Sequence, residues 1–329
     1  MTTTPEVMAN DLRASFLTLK AELGRHLVGL DEPIQLVLAS LLARGHVLLE
    51  GGPGLGKTRL VKLLGQLLGL DVGRVQCTPD LMPADILGGP FLKPGPHGPS
   101  VEFKPGPVFC QLLLTDEINR ANPRTQSALL EAMAEQQVTL GGETRRLPAP
   151  FCVLATNNPI EMEGTFPLPE AQADRFLMKL VVQQPTKSSL LRILEIDGFA
   201  DIADIEPVLD AQRLIAYQAH AAALPASDAV KSLIADIILG THQASDEADE
   251  STAIQLGASP RAGQAMLAAA RARAAMAGRL HVASGDVVAV AIPTLRHRIV
   301  LSYGARAAGL STAQVLKRIL ASLGQSDTI

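Results

Sequence analysis

The stretch Gly51-Gly-Pro-Gly-Leu-Gly-Lys-Thr58 constrains this chain more than any other part of it. Glycines at this spacing let backbone N–H groups converge on phosphate oxygens, and a helix that starts at the lysine turns its positive end toward them. Such a loop works only between a strand and a helix. Both are legible here. His46-Val-Leu-Leu-Glu50 is short, apolar and ended by glycines, as a buried parallel strand should be. Lys57 to Leu68 carries Leu60, Val61, Leu63, Leu64, Leu67 and Leu68 at helical spacing. The loop therefore reads as a cradle for ATP, contacted through Gly52, Pro53, Gly54, Leu55, Gly56, Lys57, Thr58 and Arg59. Lys57 would reach the β- and γ-phosphates, and the Thr58 hydroxyl would coordinate Mg2+.

Four further strand patterns follow, at about Arg74 to Cys77, Gln111 to Thr115, Phe151 to Ala155 and Leu177 to Val182. Joined by mostly helical crossovers, they predict an α/β fold with a parallel five-stranded sheet flanked by helices. Gly141-Gly142 between two β-like runs marks a hairpin over Gln137 to Leu147. Beyond Pro185 the chain turns to Ala- and Leu-rich helices, one opened by Ser259 and Pro260 and another by Ser311. The expected organisation is an N-terminal helix within 1–27, a nucleotide-binding core over 28–184 and an all-helical C-terminal domain over 185–329. The acidic run Ser245 to Ser251 reads as a solvated loop inside that last domain.

The third strand delivers Asp116 and Glu117 to its C-terminal end, the edge where open parallel sheets bind ligands. Asp116 is suited to hold Mg2+ and Glu117 to act as general base on the attacking water. At the end of the next strand, Asn157 and Asn158 both place amides where they could orient that water. Arg175, just before the last strand, reads either as a surface ion-pair residue or, in a ring, as a group reaching a neighbour's ATP. His297-Arg298 reads as a helix-surface or interdomain contact, because no nucleophile accompanies it, and His46 as a cap on the sheet.

Composition narrows the partners. A net charge of −4 over 329 residues, with no Trp and two Tyr, offers neither a basic stripe nor a stacking surface for nucleic acid. No apolar run approaches the ~20 residues needed to span a bilayer, and the N-terminus lacks a signal-peptide pattern, so no direct membrane insertion and a cytoplasmic location are expected. The three cysteines, Cys77, Cys110 and Cys152, form no CxxC pair and read as reduced core residues. The seven histidines show no metal-ligand spacing, leaving Mg2+ carried with ATP as the expected metal.

Taken together, several motifs resemble the AAA+ ATPases and, within them, the MoxR family. They are Gly45 to Thr58, Thr78-Pro-Asp-Leu-Met-Pro-Ala-Asp85, Gly106-Pro-Val-Phe109, Asp116-Glu-Ile-Asn-Arg-Ala121, Thr125-Gln-Ser-Ala-Leu-Leu-Glu-Ala-Met133 and Leu168-Pro-Glu-Ala-Gln-Ala-Asp-Arg-Phe176. The resemblance implies that Asn158 is the sensor-1 residue, Arg175 the arginine finger and Arg261 of Ala258-Ser-Pro-Arg261 the sensor-2 arginine. The family usually has Gln at the position of Asn157, so two adjacent amides compete for the sensor role. It further implies a homo-oligomeric ring, usually a hexamer, with ATP between subunits and inserts matching 88–103 and 137–147. Such relatives remodel or assemble protein complexes, often with a partner bearing a von Willebrand factor A (VWA) domain. Arg261 could act in its own site or on a neighbour's. A nucleic-acid-stimulated motor is the alternative, favoured slightly by Arg145 and Arg146 on the hairpin.

Overall fold

The computed structural model describes residues 4–94, 99–158, 164–195, 205–243 and 253–325. Five strands, β1 (Val47–Glu50), β2 (Val72–Gln76), β5 (Leu112–Asp116), β8 (Cys152–Asn157) and β9 (Met178–Val181), form one sheet in the order β2-β5-β8-β1-β9. All four pairings are parallel. Val47 to Leu49, Leu112 to Leu114 and Val153 to Ala155 are buried, as expected of strands covered by helices on both faces. The register sets Glu50 against Asn157 and Gln76 against Asp116, so the polar strand ends form one row along the C-terminal edge. Because β8 stands between β1 and β5, whatever follows β8 is delivered between the glycine loop and the two carboxylates.

Helix α3 (Lys57–Leu67) buries Leu60, Val61, Leu63, Leu64 and Leu67 against the sheet. Its Gly65 is required by close approach, since a Cβ there would stand 2.0 Å from Val72 Cγ2. Helix α5 (Pro123–Glu135) starts where the Asn122 side chain accepts from the Thr125 N–H.

Two antiparallel hairpins project from this core. One pairs β3 (Gly88–Lys93) with β4 (Ser100–Pro105), following the short helix α4 (Pro83–Leu87). The other pairs β6 (Gln137–Leu140) with β7 (Glu143–Arg146) around Gly141-Gly142. The Arg145 guanidinium lies 4.0 Å from the centre of the Phe103 ring, so the hairpins touch. Arg145 also pairs with Glu143. Of the two hairpin arginines that lend some support to nucleic-acid binding, Arg145 is therefore engaged within the molecule.

The short α6 (Glu170–Ala173) precedes β9, and the C-terminal part contains α7 (Lys187–Glu195), α8 (Ala211–Ala223), α9 (Asp228–Gln243), α10 (Pro260–Met276), α11 (Ser284–Leu295), α12 (Tyr303–Ala307) and α13 (Thr312–Ser322). It also holds a two-stranded sheet of β10 (Ile254–Leu256) and β11 (Val300–Leu301), which the sequence pattern does not announce. The acidic run 245–251 lies outside the described residues. Buried alanines along α10, among them Ala265, Ala269 and Ala272, allow its neighbours to approach closely.

The N-terminal helix α1 (Pro5–His26) is not a detached segment. Its Leu12, Phe16, Leu19 and Leu23 enter one hydrophobic cluster with α2 (Asp31–Leu42), α3, α8 and α10. The Tyr217 hydroxyl of α8 donates to Asp11 Oδ2 at 2.6 Å. No helix among the described residues is long and apolar enough to cross a membrane.

The buried histidine of the first strand does more than cap the sheet. His46 Nδ1 accepts from the Val153 N–H (3.0 Å), which leaves Nε2–H to donate to the Met133 carbonyl (3.2 Å). Burial lowers its pKa to about 4, so the ring is neutral near pH 7. All three cysteines are free and buried. Burial raises each thiol to about 12, with the Asp116 and Glu117 charges adding to the effect on Cys77.

Candidate active site

Gly54 and Gly56 both hold φ of +77°, a left-handed conformation that side chains resist, and α3 begins at the next residue, Lys57. The Lys57 ammonium donates to the Gly51 carbonyl (2.6 Å) and the Gly52 carbonyl (2.9 Å), across the mouth of the loop. Burial lowers its pKa, while the charges of Asp116 and Glu117 oppose that shift. These groups open onto a cleft of about 460 Å³ in which Lys57, Thr58, Asp116, Glu117 and Asn158 meet. Pro53, Gly54, Leu55, Gly56 and Arg59 form its near wall. Thr58 and Asp116 supply hard oxygen donors beside backbone amides, a set that fits Mg2+ with a triphosphate.

Glu117 leaves the strand through a bend. Its φ of 56° and ψ of 52° are left-handed, a strained conformation for a side chain of this kind. Thr156 of β8 holds the bend. Its hydroxyl oxygen accepts from the Glu117 N–H (2.8 Å), and the hydroxyl donates to Asp116 Oδ1 (3.4 Å). The Glu117 carboxylate then takes hydrogen bonds from Gln76 Nε2 (3.1 Å) and from Arg120 (3.2 Å). Asp116 Oδ2 is met by the Arg74 guanidinium, through Nε at 3.0 Å and a terminal nitrogen at 2.9 Å.

Arg74, Gln76, Arg120 and Thr156 are functional neighbours that the motif reading misses. A signal existed for two of them. In β2 the polar Arg74 and Gln76 alternate with the buried Val75, which places both on one face, and the sheet order then sets that face beside the carboxylate strand.

The structure separates the two asparagines. Asn158 is buried and lines the cleft, whereas the Asn157 amide turns away to donate to Glu50 Oε2 at 3.3 Å. A second, smaller cavity of about 170 Å³ adjoins the loop. Leu27, Val28, Leu30, Pro185 and Ile193 give it apolar walls, and Gly54 to Gly56 close one side. It is assembled from segments far apart in the chain, so no local pattern reveals it.

Arg175 and Arg261 do not enter the cleft. Arg175 donates to the Leu130 carbonyl at 2.8 Å. Arg261 is exposed at the start of α10 and stands 3.8 Å from Asp174 Oδ2. Asp174 in turn receives Arg298 Nε at 2.6 Å. His297 and Arg298 are thus an interdomain contact and not a helix-surface one, both being buried where α11 meets the segment around Arg175. Burial, reinforced by the charge of Arg298, lowers the His297 pKa to about 3, and its Nε2–H donates to the Phe176 carbonyl (2.9 Å).

Known proteins agree with this geometry. Residues 46–178 match the ATPase family associated with various cellular activities (AAA), and residues 246–319 match the AAA lid domain. Chaperone MoxR1 of Mycobacterium tuberculosis is 40% identical over 95% of this chain and 83% of its own length. Protein MoxR of Paracoccus denitrificans is 35% identical, over 89% of this chain and 91% of its own. A solved Cytophaga hutchinsonii structure, assigned as an ATPase, superposes with a TM-score of 0.87 at 37% identity, covering 95% of this chain and 96% of that one. With identities of 35–40% to MoxR proteins over most of its length, and matches to both the AAA ATPase and the AAA lid families, the chain belongs to the MoxR family of AAA+ ATPases.

Proposed function

We propose that this protein hydrolyses Mg-ATP and uses the cycle, as a ring, to remodel or assemble a protein complex. The observation that carries the reading is the single cleft in which the glycine loop, Lys57, Thr58, Asp116, Glu117 and Asn158 converge. The triphosphate lies along the loop amides, and the purine fills the apolar cavity beside Leu27, Val28 and Ile193. Thr58 and Asp116 would hold Mg2+, which would neutralise charge on the phosphate oxygens. Glu117 takes the proton of the attacking water, and Asn158 orients that water. Glu117→Gln should retain nucleotide affinity and lose hydrolysis by ~10²–10⁴-fold. Unchanged turnover would remove Glu117 from the role of base.

The remaining arginines support a shared site. Arg175 and Arg261 lie outside their own cleft, one following Asp174 in the chain and the other 3.8 Å from its carboxylate, a placement that suits groups completing the pocket of the next subunit. The ring is a hexamer in this reading. Leu92 and Val101 face one another on the first hairpin and are well exposed, which suits that hairpin to contact a protein client. One relative bears the name chaperone, which supports work of this kind; in this reading it is done in the cytoplasm, with a VWA-domain protein as the docking partner. Arg175→Ala and Glu117→Gln, each inactive alone, should restore hydrolysis when mixed. Mixtures without activity would rule out sites shared between subunits.

A further inference from the structure

His297 and Arg298 are the polar pair that the proposed chemistry leaves unused; Arg298 is fully bonded, whereas His297 bonds through Nε2 alone and its buried Nδ1 meets no partner among the described residues. A guanidinium has five N–H donors. Arg298 uses all of them. Nε donates to Asp174 Oδ1 (2.6 Å), and one terminal nitrogen donates to the carbonyls of Leu177 (3.2 Å) and Thr294 (2.8 Å). The other terminal nitrogen donates to the carbonyls of Asp174 (2.9 Å) and Phe176 (2.8 Å). His297 adds a second hydrogen bond to the Phe176 carbonyl.

Four of these five acceptors belong to the short segment 174–177. They bracket Arg175, with carbonyls one residue before it and one after it held by the same planar group. A planar fork of fixed geometry sets the orientation of the peptide units it binds, which apolar packing could not do. Asp174 divides its carboxylate, giving Oδ1 to Arg298 and facing Arg261 with Oδ2 at 3.8 Å. On the other side the segment is anchored to the core by the fully buried Phe176 and by the Leu177 N–H, which donates to the His46 carbonyl at 2.8 Å. Arg298 of the helical lid therefore grips the backbone that carries Arg175, and the same aspartate faces Arg261, also of the lid, across a looser 3.8 Å approach.

We propose that Arg298 is a positioning residue that locks the lid to the segment bearing Arg175, so that Arg175 and Arg261 reach the neighbouring subunit's nucleotide as one rigid pair. The inference rests on the reading that these arginines act in trans. It predicts that loss of Arg298 harms the neighbour's site and leaves the chain's own site competent. A merely structural role would harm both.

Subunit mixing separates the two. Arg298→Lys keeps the charge but cannot span the fork. Alone it should bind fluorescent ATP as the parent does and hydrolyse about 10²-fold more slowly, the loss expected of a misplaced group. Mixed with Glu117→Gln, whose own Arg175 is intact, its sites should recover as those of Arg175→Ala do. The double variant Arg298→Lys/Glu117→Gln should fail to rescue Arg175→Ala, where Glu117→Gln succeeds. Two results would overturn the proposal: Arg298→Lys sites that stay silent beside intact partners, or a double variant that rescues as well as Glu117→Gln. If Arg175→Ala and Glu117→Gln do not complement each other, the trans reading itself has failed and this inference falls with it. Should thermal unfolding reveal that Arg298→Lys does not fold, Asp174→Asn, which keeps volume and one acceptor, takes its place in both arms with the same expectations.

Discussion

The Arg74–Asp116 pair at the cleft and the Arg298–Asp174 pair beneath the lid use the same two functional groups in opposite surroundings. The Arg74 side chain is 53% exposed and that of Asp116 10%. The Arg298 side chain is 3% exposed. Water competes for Arg74, so its pair contributes no more than ~1 kcal/mol and can yield to another cation at little cost. Water cannot reach Arg298, and a buried charge that loses its partner costs ~3–5 kcal/mol. The arginine pair at the site of chemistry is thus a replaceable contact, whereas the one at the junction remote from it has no substitute.

That contrast is open to measurement. The largest effect should come from Arg298→Met, which leaves Asp174 and several carbonyls without donors and should cost ~3–5 kcal/mol by denaturant midpoint. A loss below ~1 kcal/mol would erase the distinction between the two pairs. Next comes pH. His297 is held neutral, its folded pKa of about 3 lying below the ordinary 6.5. Its contribution is complete above pH 6.5 and is lost as pH falls toward 3, because the unfolded chain takes up the proton first. Each unit in that window should cost up to ~1.4 kcal/mol, and His297→Gln should flatten the slope of stability against pH. His46, with a folded value of about 4, adds to the same slope and would remain in that variant. The smallest effect belongs to Arg74→Met, at most ~1 kcal/mol in the same unfolding assay. A larger loss would make the cleft pair structural.

The sequence revealed the site best where chemistry is contiguous. Gly51 to Thr58 and Asp116-Glu117 are each one short stretch whose flanking strand and helix can be read locally, and the structure brings them into one cleft. Strands β1, β5 and β8 were also legible as short buried apolar runs, whereas β2, in which Arg74 and Gln76 alternate with Val75, begins two residues earlier than Arg74, at Val72. Helix α2 escaped because its Ile34 to Leu42 stretch is apolar nearly all round, and such a run does not declare its period. Thr156, Arg74 and Gln76 escaped for a different reason. Their roles come from strand order, which places β8 and β2 on either side of β5, and no spacing within a segment encodes that neighbourhood. The same holds for Arg298, four of whose five acceptors lie more than a hundred residues earlier in the chain.

The left-handed backbone at Glu117, with φ of 56°, also bears on how this protein could be altered. An L-residue held there costs roughly 1–2 kcal/mol, a cost that Gly largely escapes and Asn tolerates better. Neither can act as a base. A screen that rewards heat resistance alone would therefore drift toward inactive proteins at this position, and hydrolysis would have to be scored in parallel for the improved variants to remain enzymes.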